Sequence, residues 1–303
     1  MRRIALYEKF NRYLQKMHLR EITVTNNETS DLSGFQIPIE IGGDFLDKAN
    51  PNNLILTIDD EVIPYWVEQW RRPSGKARIW TKLDLSASGS ETIKLYYGGF
   101  WDNPPNGNNV FELFDDFDGD DLDTDKWTHV ADTVSFSNNN ILLSGDGQIE
   151  SVQSFGSGYI FESRCYATEQ DSNFLRLYID SDNFVELGNS DADEADNFEK
   201  IRLRTKESGT YYDISDEKLD FRGVHKRYKL KRRDNNYIDA YQEDDFIGTQ
   251  STHILSGDMK LRFNVWDSSQ NSTLYLDWVF VRKYTANEPS VSVGSEQVIV
   301  RAW

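Results

Sequence analysis

At 303 residues the chain is long enough for two ordinary domains, and 38% hydrophobic with 13% aromatic residues is enough to fill two cores. Against 33 Lys and Arg stand 51 Asp and Glu, a net charge of -18, so the surface repels nucleic acid and anionic lipid and neither is expected as a partner. The single cysteine, Cys165, excludes an internal disulfide and a thiolate metal cluster.

Residues 1–20 carry six basic side chains against the single Glu8, a net of +5 that leaves -23 on the remainder. The apolar run IAL is cut by Glu8, Lys9 and Arg12, which leaves no signal-peptide core. No later run reaches membrane-spanning length, so membrane insertion is not expected. Leu6, Phe10, Tyr13, Leu14 and Met17 recur at the spacing of an amphipathic helix with a basic opposite face. This short N-terminal helix either packs on its own domain or forms an exposed arm that docks on an acidic neighbour.

After Arg20 the texture changes to period-two runs separated by Gly, Asn, Asp and Pro: EITVTN, FQIPIEI, NLILTID, RIWTKLDL and TIKLYYG. These predict a small antiparallel β-sandwich over 21–105. The polar, turn-rich DNPPNGNN, residues 102–109, joins it to the next unit. From Val110 longer runs follow, among them YIFESRCYA, NFLRLYID, FEKIRLRTKE, MKLRFNVWD and TLYLDWVFVRKY. They predict a two-sheet jelly roll over 106–287, and SVSVGSEQVIV adds a strand in the tail 288–303. The expected fold class is therefore all-β: a small sandwich, then a jelly roll, with one short N-terminal helix.

PYWVEQW (Pro64 to Trp70), ARIWTKL (Ala77 to Leu83) and TIKLYYGG (Thr92 to Gly99) resemble an uncharacterised domain family of archaeal and bacterial surface proteins and archaeal viruses, over about residues 20–100. FELFDDFDGDDLDTDKW and the ending LYLDWVFVRKY are similar to the concanavalin A-like lectin and glucanase superfamily over 110–285. The resemblance makes ELFDDF the first strand of the second domain, although eight of the fourteen residues from Glu112 to Asp125 are acidic. An EF-hand is excluded: counting from Asp116, the sixth position is Asp121 and the twelfth is Trp127, where Gly and Glu are required. The resemblance does imply one structural Ca2+ where first and last strands meet, with Asp277 as the matching acid and Asp116 or Asp118 as a second ligand. The alternative is an ordinary surface Asp beside a turn.

Glucanases of that superfamily place their carboxylates on one strand as Glu-x-Asp-x-Glu, because alternate residues enter the same cleft. No such triplet occurs; SDADEADNFE (Ser190 to Glu199) has the wrong spacing, and Glu169 with Asp171 forms a lone pair in a turn. The four histidines, 18, 129, 225 and 253, lie far apart, and neither a nucleophile elbow nor a phosphate loop is present. The expectation is a non-enzyme.

Alternation splits each strand of the second domain into faces. Leu175, Leu177 and Ile179 leave Arg176 and Tyr178 opposite; Ile201 and Leu203 leave Arg202 and Arg204; Leu261, Phe263 and Val265 leave Arg262, Asn264 and Trp266. If these strands share one sheet, their polar face suits sugar recognition, with rings stacking on aromatics and hydroxyls or carboxylates meeting guanidinium forks. The alternative is a solvated face whose arginines pair with neighbouring acids. Trp66, Trp70 and Trp80 are expected in packing. The combined expectation is a non-catalytic virion structural and adhesion protein of an archaeal virus, displayed on the virion surface as a homo-oligomer. It would dock on other virion proteins through the N-terminal arm and bind a host surface glycan. Its rivals are a carbohydrate-binding portion of a cellular surface protein and a glycoside hydrolase with atypical carboxylates.

Overall fold

The structure is a computed structural model, and it describes residues 14–70, 75–99, 102–168, 172–188, 200–218, 223–265 and 272–302. The chain divides into two compact units, Met1–Phe111 with Ala286–Trp303, and Glu112–Thr285. Both are built from antiparallel strands. Among the described residues no helix is long and apolar enough to cross a membrane.

The first unit contains β1 (Leu14–Thr25), β2 (Leu32–Gly42), β3 (Ile55–Ile58), β4 (Glu61–Ile63), β5 (Tyr65–Gln69), β6 (Lys76–Leu85) and β7 (Ser90–Tyr97), with the tail strands β21 (Ser290–Val293) and β22 (Gln297–Ala302). One sheet runs β21-β1-β7-β3-β4 with β22 also on β1, and the other runs β2-β6-β5. Period-two alternation sends Ile22, Val24, Ile37, Ile39, Ile79 and Leu95 into a fully buried core between them. On the other face of the smaller sheet, Trp66 lies opposite Trp80, and both rings meet Phe111 edge-on at 5.6 Å. Trp70 packs against Phe45 of the four-residue helix α1 (Phe45–Lys48). All three tryptophans are thus engaged in packing.

The expected N-terminal helix is corrected over residues 14–20, which belong to β1; residues 1–13 lie outside the described residues. Leu14 and Met17 fit a helical stripe, yet the backbone from Leu14 to Leu19 pairs with Ala302 to Gln297, and His18 pairs with Tyr97. Pairing with strands far away in sequence overrides the local period. The same pairing returns the tail to the first unit, fastened at Glu296. That carboxylate accepts from Lys48 Nζ at 2.6 Å and from the Tyr97 hydroxyl at 2.7 Å, with His18 Nδ1 at 3.1 Å. Gly294 is required beside it, because a Cβ there would sit 2.9 Å from the Glu21 carbonyl oxygen.

The second unit holds β8 (Leu113–Asp115), β9 (Trp127–Phe136), β10 (Ile141–Phe155), β11 (Tyr159–Ala167), β12 (Ser172–Asp180), β13 (Asn183–Gly188) and β14 (Lys200–Glu207). It continues with β15 (Thr210–Lys218), β16 (Lys226–Arg232), β17 (Ile238–Gln242), β18 (Asp245–Gln250), β19 (Met259–Val265) and β20 (Thr273–Lys283). The strands form one sheet in the order β15-β14-β13-β12-β19-β10-β20-β11-β16-β17-β18, with β9 on β10 and β8 on β20. Strand β10 serves both halves: Ile141–Ser144 pairs with β20 and Gln148–Phe155 with β19. Gly147 sits at the register break, where a Cβ would meet the Ser144 and Thr133 carbonyl oxygens at 2.9 Å. Folding about this corner makes a two-layer jelly roll around Leu143, Phe161, Leu177, Leu203, Leu230 and Phe263.

The acidic run opens this unit as a strand. β8 pairs with the last strand, Val281 opposite Leu113 and Val279 opposite Asp115, while Leu113, Phe117 and Trp127 enter the core. Asp115 is buried because it accepts from the Trp127 indole at 2.8 Å and from the Phe117 amide at 3.0 Å. Burial nevertheless pushes its carboxyl above the ordinary carboxylate range.

Candidate functional site

Strands β15, β14, β13, β12, β19 and β10 lie side by side in the front half. In register across them run Asp213, Arg204, Glu186, Arg176, Arg262 and Glu150, each opposite the next. Side chains opposite each other on neighbouring strands stand about 5 Å apart, so the register itself creates the ion pairs. Glu186 accepts from Arg176 Nε at 2.8 Å and also from Arg204 Nε. Glu150 accepts from Arg262 Nε at 3.0 Å and from Lys260 Nζ at 2.9 Å, and Arg262 also reaches Gln148 Oε1 at 3.3 Å. The two adjacent cations, Arg176 and Arg262, are tolerated because each has its own carboxylate on the far side.

Two positions along the strands, a second row runs Tyr211, Lys206, Phe184, Tyr178 and Lys260. The guanidiniums of the first row lie over its rings: Arg262 over Tyr178 at 3.4 Å, Arg176 over Phe184 at 4.2 Å and Arg204 over Tyr211 at 4.6 Å. Lys206 Nζ stands 5.2 Å from the Tyr211 ring centre and 5.9 Å from that of Phe184. On the other side of the charged row, Arg202 lies opposite Gly188, and Asn264 lies opposite Asn173 and Gln148.

Burial pushes the Glu186 carboxyl up, but the Arg176 and Arg204 guanidiniums outweigh it and hold it below the usual range. Glu150 behaves alike, with Lys260 and Arg262 overcoming its burial. Both stay ionised at neutral pH. Three strand spacings separate β13 from β10, which puts their backbones roughly 14 Å apart. Paired hydrolytic carboxylates stand at about 5–9.5 Å, with one of them protonated. Glu186 and Glu150 are both ionised, so neither is the protonated partner.

Of the residues singled out in the sequence, Arg176, Tyr178, Arg202, Arg204, Arg262 and Asn264 lie on this one sheet. Trp266 lies outside the described residues, as do Ser190 to Glu199, Glu169 and Asp171. Sequence reasoning missed Glu186, Phe184, Lys206, Glu150, Lys260 and Gln148. The same alternation, applied to NFVELG with Val185 and Leu187 inward, points to Phe184 and Glu186.

The calcium residues are not assembled into a ligand set. Asp277 is ion-paired with Arg164, and among the described residues no group of three or more His, Cys, Asp or Glu is placed to hold a metal. Asp116 has its carboxyl pushed up, first by burial and then by Asp118. An ion held by main-chain carbonyls with Asp277, and with Asp116 or Asp118 as a second ligand, would have to displace Arg164 from Asp277.

A family model described as a domain of unknown function (DUF2341) matches residues 55–130, from β3 into β9. The match omits β1 and β2 and crosses from the first unit into the second. No curated protein matches the sequence. Among solved structures, a Bacillus licheniformis β-glucanase aligns at 17% identity over 57% of this chain and 98% of its own, TM-score 0.48. A κ-carrageenase from Zobellia galactanivorans aligns at 16% identity over 57% and 93%, TM-score 0.45. The carbohydrate-binding module CBM66 from Bacillus subtilis aligns at 18% identity over 53% and 98%, TM-score 0.41.

Proposed function

We propose that the jelly roll is a non-catalytic glycan-binding domain whose ligand lies on the front sheet. One observation carries the reading: the transverse row Arg204–Glu186–Arg176–Arg262–Glu150 runs in register beside the rings of Tyr178, Phe184 and Tyr211. Ion pairing fixes each guanidinium, and the half-exposed Tyr211 offers a ring for stacking. Arg176, Glu186 and Phe184 are buried and brace the sheet, so the surface open to a saccharide is the exposed Tyr211 with the half-buried Tyr178, Arg204 and Lys206. A sugar's apolar ring face would meet the tyrosines, and its rim of hydroxyls or carboxylates the cations. The chemistry of this row argues against hydrolysis, since both of its carboxylates are ionised and tied to cationic side chains.

The finer reading is a structural and adhesion component of an archaeal virus particle, a turret, spike or tail protein facing a host glycan. Repetition in a homo-oligomer raises the avidity of weak sites, and Arg2, Arg3, Lys9 and Arg12, against the single Glu8, supply a basic complement to an acidic neighbour in the particle. Antibody to the protein decorating intact particles is the expected result for that placement. For the face, Arg204→Ala with Tyr211→Ala should weaken retention on a glycan array about tenfold or more. Glu186 keeps Arg176 in this variant, so the sheet remains paired. Unchanged retention would sink the assignment, and sugar release by the wild-type protein would replace it with the hydrolase reading.

A further inference from the structure

The stretch DNPPNGNN has the composition of a linker, yet it is pinned along its length to the first unit. The Asn103 amide donates to Asn52 O at 2.8 Å, its Nδ2 donates to Leu54 O at 2.8 Å, and the Asn106 amide donates to Tyr65 O at 2.8 Å. The buried Tyr65 hydroxyl lies against the Pro51 carbonyl at 2.9 Å and the Asn103 carbonyl. The Asn106 side chain accepts from the Asn108 amide at 3.0 Å. Loop and strand together line an open pocket of about 350 Å³ against the β4–β5 corner, with Asn106 and Asn109 at its exposed rim.

Its walls are chemically distinctive. Ile63, Pro64 and Pro104 supply apolar surface, Asn103, Asn106 and Asn109 supply amides, and no lining residue is charged in a chain that is 28% Asp, Glu, Lys and Arg. Among the described residues Asn103 Oδ1, Asn106 Nδ2 and the Asn109 side chain make no hydrogen bond. Tyr65 adds no charge, since burial pushes its hydroxyl up to about 12. A charged ligand would lose hydration here without a counter-ion, and a purely aliphatic one would strip water from three amides without replacing it. A ring that is apolar on its faces and both donor and acceptor at its rim meets neither penalty, because an amide offers both functions. The volume sits at the small end of ligand pockets, which run about 300–1,000 Å³.

We propose that this pocket of the first unit binds one residue of a neutral saccharide, separately from the front sheet of the jelly roll. The inference stands whether or not the reading of that sheet holds. The test titrates full-length Arg204→Ala/Tyr211→Ala protein, followed by saturation-transfer NMR, with neutral methyl glycosides of glucose, galactose, mannose and N-acetylglucosamine, and with methyl glucuronide. At least one neutral glycoside should bind saturably with equal affinity in low and high salt, and the glucuronide should bind more weakly. Asn106→Asp keeps the acceptor for the Asn108 amide but loses two donors and adds a charge, so affinity should fall about tenfold. Asn109→Ala, at an exposed position, should fall in the same direction without any risk to folding. Silence from all four neutral glycosides at about 20 mM, above the usual millimolar limit of weak binding, overturns the proposal. So does wild-type affinity in both Asn variants, or binding that high salt abolishes.

Discussion

The front sheet of the jelly roll and the pocket of the first unit solve the same problem, a rigid polar surface, by opposite means. On the sheet, six side chains from Asp213 to Glu150 alternate or abut in charge across six strands, and the five from Arg204 to Glu150 are each held by an ionic neighbour. In the pocket, the wall is fixed by backbone hydrogen bonds from Asn103 and Asn106, and no lining residue is charged. Sheet register places opposite side chains close enough for ion pairing, so charge can be used as scaffold there. An irregular loop has no such register and must satisfy its own amides, which asparagine does with its side chain. The sheet should therefore respond to acid and to loss of one ion, and the pocket to neither.

The largest effect is expected at Glu186, whose side chain is 1% exposed between two arginines. Glu186→Gln leaves two guanidiniums without their carboxylate and should destabilise the second unit by about 3–5 kcal/mol in chemical denaturation. Replacing the set together, Arg176→Met, Glu186→Leu and Arg204→Met, should cost far less, because no buried charge is then left unpaired. A single variant as stable as wild type would mean that the triad is not what fixes the sheet. The pH dependence has a definite sign. The folded-state pKa of Glu186 is lowered, so its contribution is fully present above the unfolded value of about 4.3 and is lost as pH falls below it toward the folded pKa. Glu186→Gln should remove that acid-dependent part of the stability curve.

How much of this face was legible in the sequence follows from what alternation can and cannot specify. Period two assigned Arg176, Arg204 and Arg262 to outward positions, since Leu177, Leu203 and Leu261 had to be buried. It could not order the strands, and the order decides chemistry: β13 lies between β12 and β14, which brings Glu186 between two arginines ten and eighteen residues away. Glu150 was still less visible, because it reaches Arg262 from 112 residues away across the corner strand β10. At the N-terminus a helical stripe was the wrong guide, as the partner of Leu14 is Ala302. The loop 102–109 reads as polar and turn-rich, but its pinning to Asn52, Leu54 and Tyr65 is a tertiary fact with no local signature.

A smaller effect separates the first unit's tail from both surfaces. Glu296 is held down to about 2, chiefly by the hydrogen bond from Lys48 and then, against burial, by those from Tyr97 and His18. Its contribution to holding β21 and β22 on β1 is thus present above about pH 4.3 and is lost as pH falls toward 2. Glu296→Gln should raise hydrogen exchange at the β1–β22 amides near neutral pH while leaving the β12–β13 amides unchanged. Equal protection of both strand pairs in the variant would show that pairing alone retains the tail.

The smallest effect on stability, and the sharpest on function, is expected at Tyr211. The ring is 50% exposed and carries Arg204 at 4.6 Å and Lys206 at 5.2 Å on its face. Tyr211→Leu keeps apolar bulk on β15 but removes the π-face, and an exposed cation–π contact is worth about 0.5–1 kcal/mol. The midpoint of unfolding should barely move. If the ring is a stacking surface for a sugar, affinity for the retained glycan should nevertheless fall several-fold, because the ligand loses its platform while Arg204 keeps Glu186. A loss of stability without a loss of binding would reverse the argument and make Tyr211 a brace for Arg204. The pocket's affinity for a neutral glycoside should stay constant in either case, since Tyr211 is not among its lining residues.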